Sequence, residues 1–435
     1  MLKLSQALRI STGQSVAFVG AGGKTSAVFQ TARELAPVIV TTSTHIGSWQ
    51  AKKADRHFLW LPEEAMPAFE DQLGSGITLI TGPLDSITDR YRGLRESQLE
   101  KLHALAGFHD VSLLIEADGS RQIGLKAPGE NEPAISAFVD VVIVVAGLTG
   151  LGKILSVDNV HRYEIFAGLS GLHVGENITA DALAKVLSHP TGGLKNIPPA
   201  ARRVALLNQA DEPVLQAQAG EIARIIQPEF DAVVVSALEP YPGSVFAVKE
   251  KIAAIILAGG SPSRFRTPIQ LNSETKKTFV RNVAEMAVHS GLSPVIVVCG
   301  TDVNTISAEL VDLPVRIITN VDWLSGPGSS IKAGMAGINA GIGGVIILED
   351  SQPQVSVELL RALVERHSQD LPAILAPYVF DQRTHPFLFD KNTFNDLREI
   401  SNEKNSRELF SKFSPRYLNW YDRSLLLEVD SPQDF

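Results

Sequence analysis

The sequence predicts two doubly wound α/β domains, each built on a mainly parallel sheet. Continuous apolar runs alternate with helical patterns along almost the whole chain, as in strands that helices cover on both faces. Each of two series of runs opens with a strand that leads into a glycine-rich turn. The first series includes the runs 15–19, 38–41, 112–115, 141–145, 204–207 and 232–235. The second includes the runs 252–257, 294–298, 315–318, 344–348 and 373–376.

A stretch rich in proline, glycine and serine separates the two series at residues 239–244, and Lys249, Glu250 and Lys251 follow it. Such a break in pattern and composition is typical of a domain linker. We therefore place one domain at 1–240 and a second at 250–435. Each is long enough to bury a core of its own.

Composition limits the classes of partner. The 435 residues include 39 basic and 48 acidic side chains, which give a formal net charge of −9, and they contain no basic run or stripe. We therefore expect no binding to nucleic acid. The first residues lack the apolar core of a signal peptide, and no apolar run approaches the ~20 residues of a membrane span. These features predict a cytoplasmic protein with no membrane partner.

Cysteine usage limits the classes of site. The chain has one cysteine, Cys299, which excludes an intramolecular disulfide and a cysteine-rich metal site. Because Cys299 follows an apolar run, we predict a buried strand residue rather than a reactive thiol.

The first predicted strand leads into the glycine-rich loop 20–25 (GAGGKT), and a helical pattern begins at Ser26. Glycines let the backbone approach a ligand, and amides at a helix start attract phosphate. Lys24 would neutralise a β- or γ-phosphate and the Thr25 hydroxyl would ligate Mg²⁺, as in the longer G-x-x-x-x-G-K-[ST] loop. The alternative is a tight glycine turn before a helix-start lysine. The predicted nucleotide contacts are Gly20, Gly22, Gly23, Lys24, Thr25 and Ser26.

Two acidic residues follow another predicted strand, in the segment 115–121 (IEADGSR). Ligands of open α/β sheets bind at the carboxyl ends of the strands. We therefore expect Asp118 to hold Mg²⁺, directly or through water, and Glu116 to orient a water molecule. With Lys24, these acids are the predicted catalytic residues. The alternative is a strand-to-turn junction in which Asp-Gly only ends the strand.

The segment 206–211 (LLNQAD) also follows a predicted strand. It is similar to the N-K-x-D element with which GTPases read guanine, with Gln209 in place of the lysine. Asn208 and Asp211 would then contact the base, which favours GTP and leaves ATP open. The alternative is a loop that carries an Asn and an Asp without a ligand.

Six short segments occur in order within the first 240 residues: GAGGKT, TTST at 41–44, EADGSR, LKAPGENEP, VHRYE and LLNQAD. Together they resemble the YqeC-like family of selenium-dependent hydroxylase accessory proteins. The resemblance implies a role in the maturation of molybdenum-containing hydroxylases, with an apo-hydroxylase as a partner. It implies a pathway more than a reaction.

The second series resembles the MobA-like nucleotidyltransferases, which include molybdenum cofactor cytidylyltransferase. The run 255–264 (IILAGGSPSR) matches their glycine-rich signature, and segments at 323–330, 383–386 and 428–434 resemble later elements. The resemblance covers roughly 250–435. It implies a Rossmann-like transferase fold that takes CTP or molybdopterin. The implied ligand contacts are Gly259, Gly260, Arg264, Ser330 and His385, with Asp430 on a metal ion.

Two positions depart from that second pattern. Ile269 stands where a lysine is expected, and Ser351 falls where the metal-binding Asp is expected, with Asp350 one place early. An apolar side chain cannot stabilise a phosphate in its transition state. We therefore favour a retained fold without catalysis, used for binding or dimerisation. The alternative is that Arg266, Lys276 or Lys277 replaces the missing lysine.

Three functions follow from these patterns. The first is a nucleotide-binding accessory protein that hydrolyses a nucleoside triphosphate with Mg²⁺ in its N-terminal domain. The second is a nucleotidyltransferase that acts on the molybdopterin cofactor through the C-terminal domain. The third is a nucleotide-gated carrier or scaffold that delivers cofactor to an apo-hydroxylase without catalysing a reaction.

Overall fold

The computed structural model describes residues 2–61, 66–119, 123–258, 278–352, 354–400 and 403–426. The chain divides into two compact units, Met1–Lys249 and Glu250–Phe435. The stretch that we interpreted as a linker, 239–244, packs within the first unit, where the backbone amide of Gly243 donates to Oε1 of Gln30 at 3.2 Å. The division therefore falls after this stretch rather than in it.

The first unit alternates strands and helices. Its strands are β1 (Ser15–Gly20), β2 (Val38–Thr42), β3 (His45–Gly47), β4 (Arg56–Leu59), β5 (Ile77–Thr81), β6 (Leu84–Asp85), β7 (Arg90–Arg92), β8 (Ser112–Glu116), β9 (Leu125–Lys126), β10 (Val141–Gly147), β11 (Val160–His161), β12 (Arg202–Asn208) and β13 (Ala232–Ala237). Its helices are α1 (Leu4–Ala7), α2 (Lys24–Leu35), α3 (Ser48–Ala51), α4 (Glu96–Phe108), α5 (Tyr163–Ser170), α6 (Ala180–Ser188) and α7 (Pro213–Ile226).

The main sheet of the first unit is parallel, in the order β13-β12-β10-β1-β8-β2-β5-β4. Its central strands consist of buried residues, as β-branched runs between two helical layers require. For example, Ala17 and Val19 of β1 join one core cluster with Leu99 and Leu102 of α4. The sheet confirms the doubly wound fold that the apolar runs predict.

Four central strands end at the same edge of this sheet. Phe18 in β1 pairs with Glu116 at the end of β8, and Gly20 pairs with Val145 near the end of β10. Gly147 in turn pairs with Asn208 at the end of β12. The loops that leave these strands therefore emerge side by side.

Two small sheets flank this arrangement. Strands β3, β7 and β6 form an antiparallel sheet in that order, and β9 pairs with β11 in parallel. The first small sheet follows β2 directly in the chain. The second brings residue 126 beside residue 161, which joins two of the segments that the sequence singled out.

The second unit holds a mixed sheet in the order β19-β18-β20-β17-β14-β15-β16, with β21 beside β18. Its core is parallel, and β20 is antiparallel to both neighbours. The strands are β14 (Ser244–Ala258, which begins before the boundary), β15 (Val295–Cys299), β16 (Val315–Thr319), β17 (Ile342–Glu349), β18 (Ile374–Val379), β19 (Gln382–Arg383), β20 (Phe387–Asp390) and β21 (Arg416–Asn419). The helices are α8 (Phe279–His289), α9 (Val303–Glu309), α10 (Pro327–Met335), α11 (Val357–Asp370), α12 (Phe394–Glu399) and α13 (Glu403–Lys412).

Two further expectations concern the burial of Cys299 and the presence of membrane-spanning helices. Cys299 is buried in β15, and burial, together with the nearby Asp350 carboxylate, raises the pKa of its thiol to about 11. None of the described helices has both the length and the apolar character that crossing a membrane requires.

Candidate functional site

The glycine loop joins the end of β1 to the start of α2 in three residues. Gly20, Gly22 and Gly23 all have positive φ, at 93°, 87° and 117°. A Cβ on Gly20 would overlap the Val145 carbonyl, and one on Gly22 would overlap the backbone of Gly147. Only glycine fits positions 20 and 22, because any other residue would be strained at this φ and its Cβ would clash with the neighbouring backbone. The loop is therefore held against the end of β10.

Lys24 and Asp118 stabilise the loop through hydrogen bonds to its backbone and an ion pair with each other. The ammonium of Lys24 donates to the Gly20 carbonyl at 2.6 Å and lies 3.1 Å from Oδ1 of Asp118. The other carboxylate oxygen of Asp118 accepts from the Gly20 amide at 2.9 Å and from Lys126 at 2.7 Å. The exposed fractions of the Lys24 and Asp118 side chains are only 3% and 2%.

The surroundings of Asp118 bear on the role that we expected for it, which stays a prediction. Each of its oxygens lies within 3.1 Å of a lysine nitrogen, so a divalent cation bound directly to Asp118 would lie beside two ammonium groups. Like charges repel strongly at such distances in a buried site. The structure thus places Asp118 as an anchor for the loop and for Lys126.

Glu116 takes the position beside Thr25. The hydroxyl of Thr25 donates to Oε2 of Glu116 at 3.0 Å and accepts from Nε2 of Gln50 at 2.9 Å. Burial raises the pKa of Glu116, and the charge of Lys24 and the Thr25 hydrogen bond oppose this rise. A hydroxyl and a carboxylate at a helix start supply the oxygen ligands that Mg²⁺ takes alongside ligand phosphates and water.

Protein side chains alone do not build a metal cage here. Among the residues that the structure describes, no group of three or more His, Cys, Asp or Glu side chains is arranged to hold a metal ion. A Mg²⁺ ion at Thr25 and Glu116 would therefore need ligand oxygens to complete its shell. Such a site suits a metal that arrives with a nucleotide.

Lys126 extends the charge network away from the loop. It donates to Asp118 and, at 3.0 Å, to Oε2 of Glu132, and Arg162 holds Glu132 with two hydrogen bonds of 2.7 and 2.8 Å. Burial acts to raise the pKa of Glu132, but the Arg162 hydrogen bond and Lys126 outweigh it and lower the pKa to about 2. The segments LKAPGENEP and VHRYE are thus joined to the glycine loop through ion pairs.

Asn208, at the end of β12, is hydrogen-bonded to the glycine loop, whereas no described contact joins Asp211 to it. The amide nitrogen of Asn208 donates to the Gly22 carbonyl at 2.8 Å, and its oxygen accepts from Ser236 and the Leu238 amide, each at 3.1 Å. Asp211 is exposed and lies outside the cavity lining. Gln209 lines the cavity instead, and its side-chain oxygen accepts from Thr149 at 2.6 Å.

A cavity of ≈580 Å³ opens over this edge of the sheet. It brings together most of the predicted residues, since Gly22, Gly23, Lys24, Thr25, Ser26 and Glu116 line it. The sequence reasoning missed much of the remaining wall: His45, Gln50, Arg90, Thr149, Lys153 and Glu239. The TTST segment directly before β3 is a signal that could have led to the first of these. No motif marks the others.

Only some of the site residues predicted for the second unit lie within its described part. Ser330 lies in α10, where its hydroxyl accepts from Asn320 at 3.0 Å. Nε2 of His385 lies 3.8 Å from Oε1 of Glu349 at the end of β17, and the Ser351 hydroxyl donates to Oε2 of Glu349 at 3.4 Å. The positions outside the described residues are Gly259, Gly260, Arg264, Arg266, Ile269, Lys276, Lys277 and Asp430.

Asp350 differs from its neighbours in surroundings. Burial and the Glu349 carboxylate raise the pKa of Asp350 to about 7, and Asp350 acts on the Cys299 thiol. Glu349, His385 and Ser351 lie together instead. Successive residues at a strand end point in opposite directions, which accounts for this separation.

Comparison with known proteins assigns both halves. The family model described as "YqeC protein" matches residues 16–164, and the model described as "MobA-like NTP transferase domain" matches residues 254–417. The uncharacterized protein YqeC of Escherichia coli (strain K12) is 32% identical over 205 residues, which cover 45% of this chain and 75% of that protein.

Two further relatives carry functional names. Nicotine blue oxidoreductase of Paenarthrobacter nicotinovorans is 30% identical over 32% of this chain and 71% of its own length. The probable molybdenum cofactor guanylyltransferase of Bacillus mycoides (strain KBAB4) is 30% identical over 32% of this chain and 66% of its own length. On these matches the chain belongs to the YqeC family, and it carries a MobA-like NTP transferase domain in its C-terminal half.

Proposed function

We propose that the first domain, residues 1–240, binds a Mg²⁺–nucleoside triphosphate at its glycine loop and hydrolyses it. The protein would use this step as an accessory in the maturation of a molybdenum hydroxylase or its cofactor. One observation carries the proposal: the start of α2 and the hydrogen-bonded pair of Thr25 and Glu116 line the same cavity of ≈580 Å³. Amide groups at a helix start bind phosphate, and the hydroxyl–carboxylate pair suits its metal ion.

The ligand would lie across the loop in one direction. Its phosphates would sit over Gly22 and Gly23, with Mg²⁺ on the side of Thr25 and Glu116. Its base would lie toward the ends of β12 and β13, where Gln209 and Glu239 line the cavity. Because Asp211 lies outside that lining, it lends no support to guanine over adenine, and both ATP and GTP are candidates.

Lys24 would act by exchanging partners. In the structure its ammonium is held by the Gly20 carbonyl and Asp118, so a phosphate oxygen would replace the carbonyl while Asp118 keeps the side chain in place. Glu116 would hold the metal ion, directly or through water, and orient the water that attacks. The hydroxyl of Thr25 would be the second protein ligand.

A nucleotidyltransferase acting on molybdopterin is the second candidate. The names of the Bacillus relatives and the Glu349–His385 cluster at the end of β17 favour it. Glu349 would supply the acid that Ser351 cannot, with GTP or CTP as the donor. Ile269 opposes this function, because the family signature has a cation at that place.

Nucleotide titration and product analysis separate these functions. The purified full chain would be given ATP, GTP and CTP, with Mg²⁺ or with a chelator. We expect Mg²⁺-dependent binding and release of diphosphate and phosphate. Thr25→Val, which removes only the hydroxyl, should weaken Mg²⁺-dependent binding about tenfold or more. Thr191→Val is the matched control, because Thr191 is exposed and contacts His189 rather than the cavity.

Each other outcome has a defined meaning. Equal affinity of wild type and Thr25→Val for every nucleotide would contradict the proposal. Pyrophosphate release that needs molybdopterin and survives Thr25→Val would establish the transferase instead. Binding without turnover would support a nucleotide-gated carrier and remove hydrolysis from the account.

A further inference from the structure

The antiparallel sheet β3-β7-β6 is attached to the metal side of the phosphate loop. The last residue of β2 and the residue after it are both bonded to Glu116, whose carbonyl accepts from the Thr42 hydroxyl at 2.9 Å and from the Ser43 amide at 3.1 Å. Strand β3 then runs beside β7. The backbone that carries Glu116 therefore also fixes the start of this small sheet.

The register of this sheet places Arg90 near Thr25. Arg90 pairs with Gly47, and the Gly47 amide donates to Oε1 of Gln50 at 2.8 Å. Nε2 of the same Gln50 donates to the Thr25 hydroxyl at 2.9 Å. A short chain of contacts therefore connects the backbone beside Arg90 to the predicted metal ligands.

The guanidinium of Arg90 differs from the other cations of the site. Lys24 and Lys126 are both held by Asp118, and Arg162 is held by Glu132. Arg90 lines the cavity, and within the described part of the chain no hydrogen bond or ion pair engages its guanidinium. Glu116 lines the same cavity, and the charge of Arg90 acts to lower the pKa of Glu116.

Lys153 is a further cation of the cavity wall, and it lies on a different side of the sheet order from Arg90. It follows the turn after β10, whereas β8 and β2 lie on the opposite side of β1. Lys153 therefore stands away from Thr25 and Glu116 in the order of the sheet. Arg90 stands on their side.

We propose that Arg90 binds the terminal phosphate of the nucleotide and stabilises the charge on that phosphate as it is transferred to water. This inference rests on the proposed function of the first domain and names a further residue for it. A guanidinium presents two parallel N–H donors to a phosphate, and it stays charged at every working pH.

The reaction that Arg90 assists is hydrolysis of the bond to the terminal phosphate. An oxygen of water bonds to the terminal phosphorus, and the bond from that phosphorus to the bridging oxygen breaks. The bridging oxygen keeps the electron pair and remains on the diphosphate, while one proton of the water passes to a non-bridging oxygen of the phosphate, which leaves as inorganic phosphate. Arg90 contacts the non-bridging oxygens, where negative charge is greatest during transfer. A nucleoside diphosphate lacks this group, so Arg90 would contribute little to its binding.

The test compares diphosphate and triphosphate binding in the full chain. Affinities for ADP and for the β,γ-imido analogue of ATP, and for the guanosine pair, would be measured with Mg²⁺ by calorimetry. We expect Arg90→Ala to weaken triphosphate binding about tenfold or more, to leave diphosphate binding within about twofold, and to lower kcat about 10²- to 10³-fold. Arg90→Lys should retain part of the affinity but little of the rate, because it keeps the charge without the fork.

Arg92→Ala is the matched control. Arg92 lies two residues along the same strand, is exposed and does not line the cavity, so its removal should change neither affinity nor rate. If Arg90→Ala weakens the binding of diphosphate and triphosphate equally, or weakens neither, the Arg90 proposal is overturned. The proposed function still stands in that case, provided that nucleotide binding by the wild type depends on Thr25. If wild type binds neither ligand, the proposed function fails as well, and the Arg90 proposal fails with it.

Discussion

The glycine loop of the first unit and the end of β17 in the second unit differ in how completely they are built. At the glycine loop, the buried side chains of Lys24 and Lys126 each form an ion pair with the buried Asp118. At the end of β17, Glu349 and His385 are each about one-third exposed and lie 3.8 Å apart. Each region lies at a strand end and carries an acidic side chain beside a basic one. The two regions therefore share residue types but differ in the number of contacts that hold those residues in place, and preorganised contacts are what a binding site needs.

We expect substitutions in the two regions to differ in their effect on nucleotide binding and consumption. Changes at the glycine loop should remove binding, because each residue there has a fixed partner. Changes at the end of β17 should leave nucleotide consumption nearly intact if the chemistry lies in the first unit. Four predictions test this contrast, from the largest effect to the smallest.

Gly22→Ala should have the largest effect. Its Cβ would overlap the backbone of Gly147 in a conformation that alanine rarely adopts, so we expect nucleotide binding to be lost and stability to fall by about 2 kcal/mol or more. Thermal unfolding and titration would measure both. Gly107→Ala is the control, because Gly107 lies in α4 with open space around it and should gain about 0.5–1 kcal/mol. Normal binding by Gly22→Ala would contradict the described loop.

Glu116→Gln should weaken the response to Mg²⁺ rather than the fold. Glutamine can still bond to the Thr25 hydroxyl, but it lacks the charge that a metal ion needs. We expect the gain in nucleotide affinity on adding Mg²⁺ to shrink about tenfold or more, as measured by titration with and without the ion. Asp158→Asn, a second acid of the cavity wall, should keep that gain. If Glu116→Gln and Asp158→Asn reduce this gain in affinity equally, Glu116 is not the ligand of the metal ion.

Glu132→Gln should lower stability in a pH-dependent way. The folded pKa of Glu132 is depressed to about 2, so its charge stabilises the fold above about pH 4.5, and this contribution is lost as pH falls toward 2. We expect a loss of about 1–3 kcal/mol at pH 7 that shrinks by pH 3, measured by denaturant unfolding. The exposed neighbour Glu130→Gln should show no such change. A loss that stays constant with pH would rule out this electrostatic explanation.

Glu349→Gln and His385→Ala should have the smallest effect. Both side chains are partly exposed and contact each other only at 3.8 Å, so the fold should tolerate either change. We expect nucleotide consumption within about twofold of wild type, because surface substitutions usually change little. Loss of all turnover in these variants would move the chemistry to the second unit.

The sequence could predict the fold because parallel strands carry a local signature. The runs 16–19, 141–145 and 204–207 are apolar throughout and lie in central strands. Strand direction has no such signature: nothing in the run Phe387–Asp390 indicates that β20 lies antiparallel between β17 and β18. Direction depends on which neighbour a strand meets in three dimensions.

The site could be predicted only in part, for the same reason. The position of Asp118 just after a strand predicts that it lies at the carboxyl edge, but its partners there include Lys126, eight residues away. Arg90 gave no signal, because its place depends on pairing with Gly47, far earlier in the chain. A strand end can be predicted from local pattern, whereas the direction of a side chain depends on distant contacts.

Hydrogen exchange on the full chain tests most directly whether the nucleotide site lies at the glycine loop. Peptides that cover residues 18–30 and 342–352 would be followed with and without Mg²⁺ and ATP or GTP. We expect slower exchange of the amides of Gly22 to Thr25 on nucleotide binding, and no change at 342–352. Protection confined to 342–352, with none at the glycine loop, would contradict this expectation.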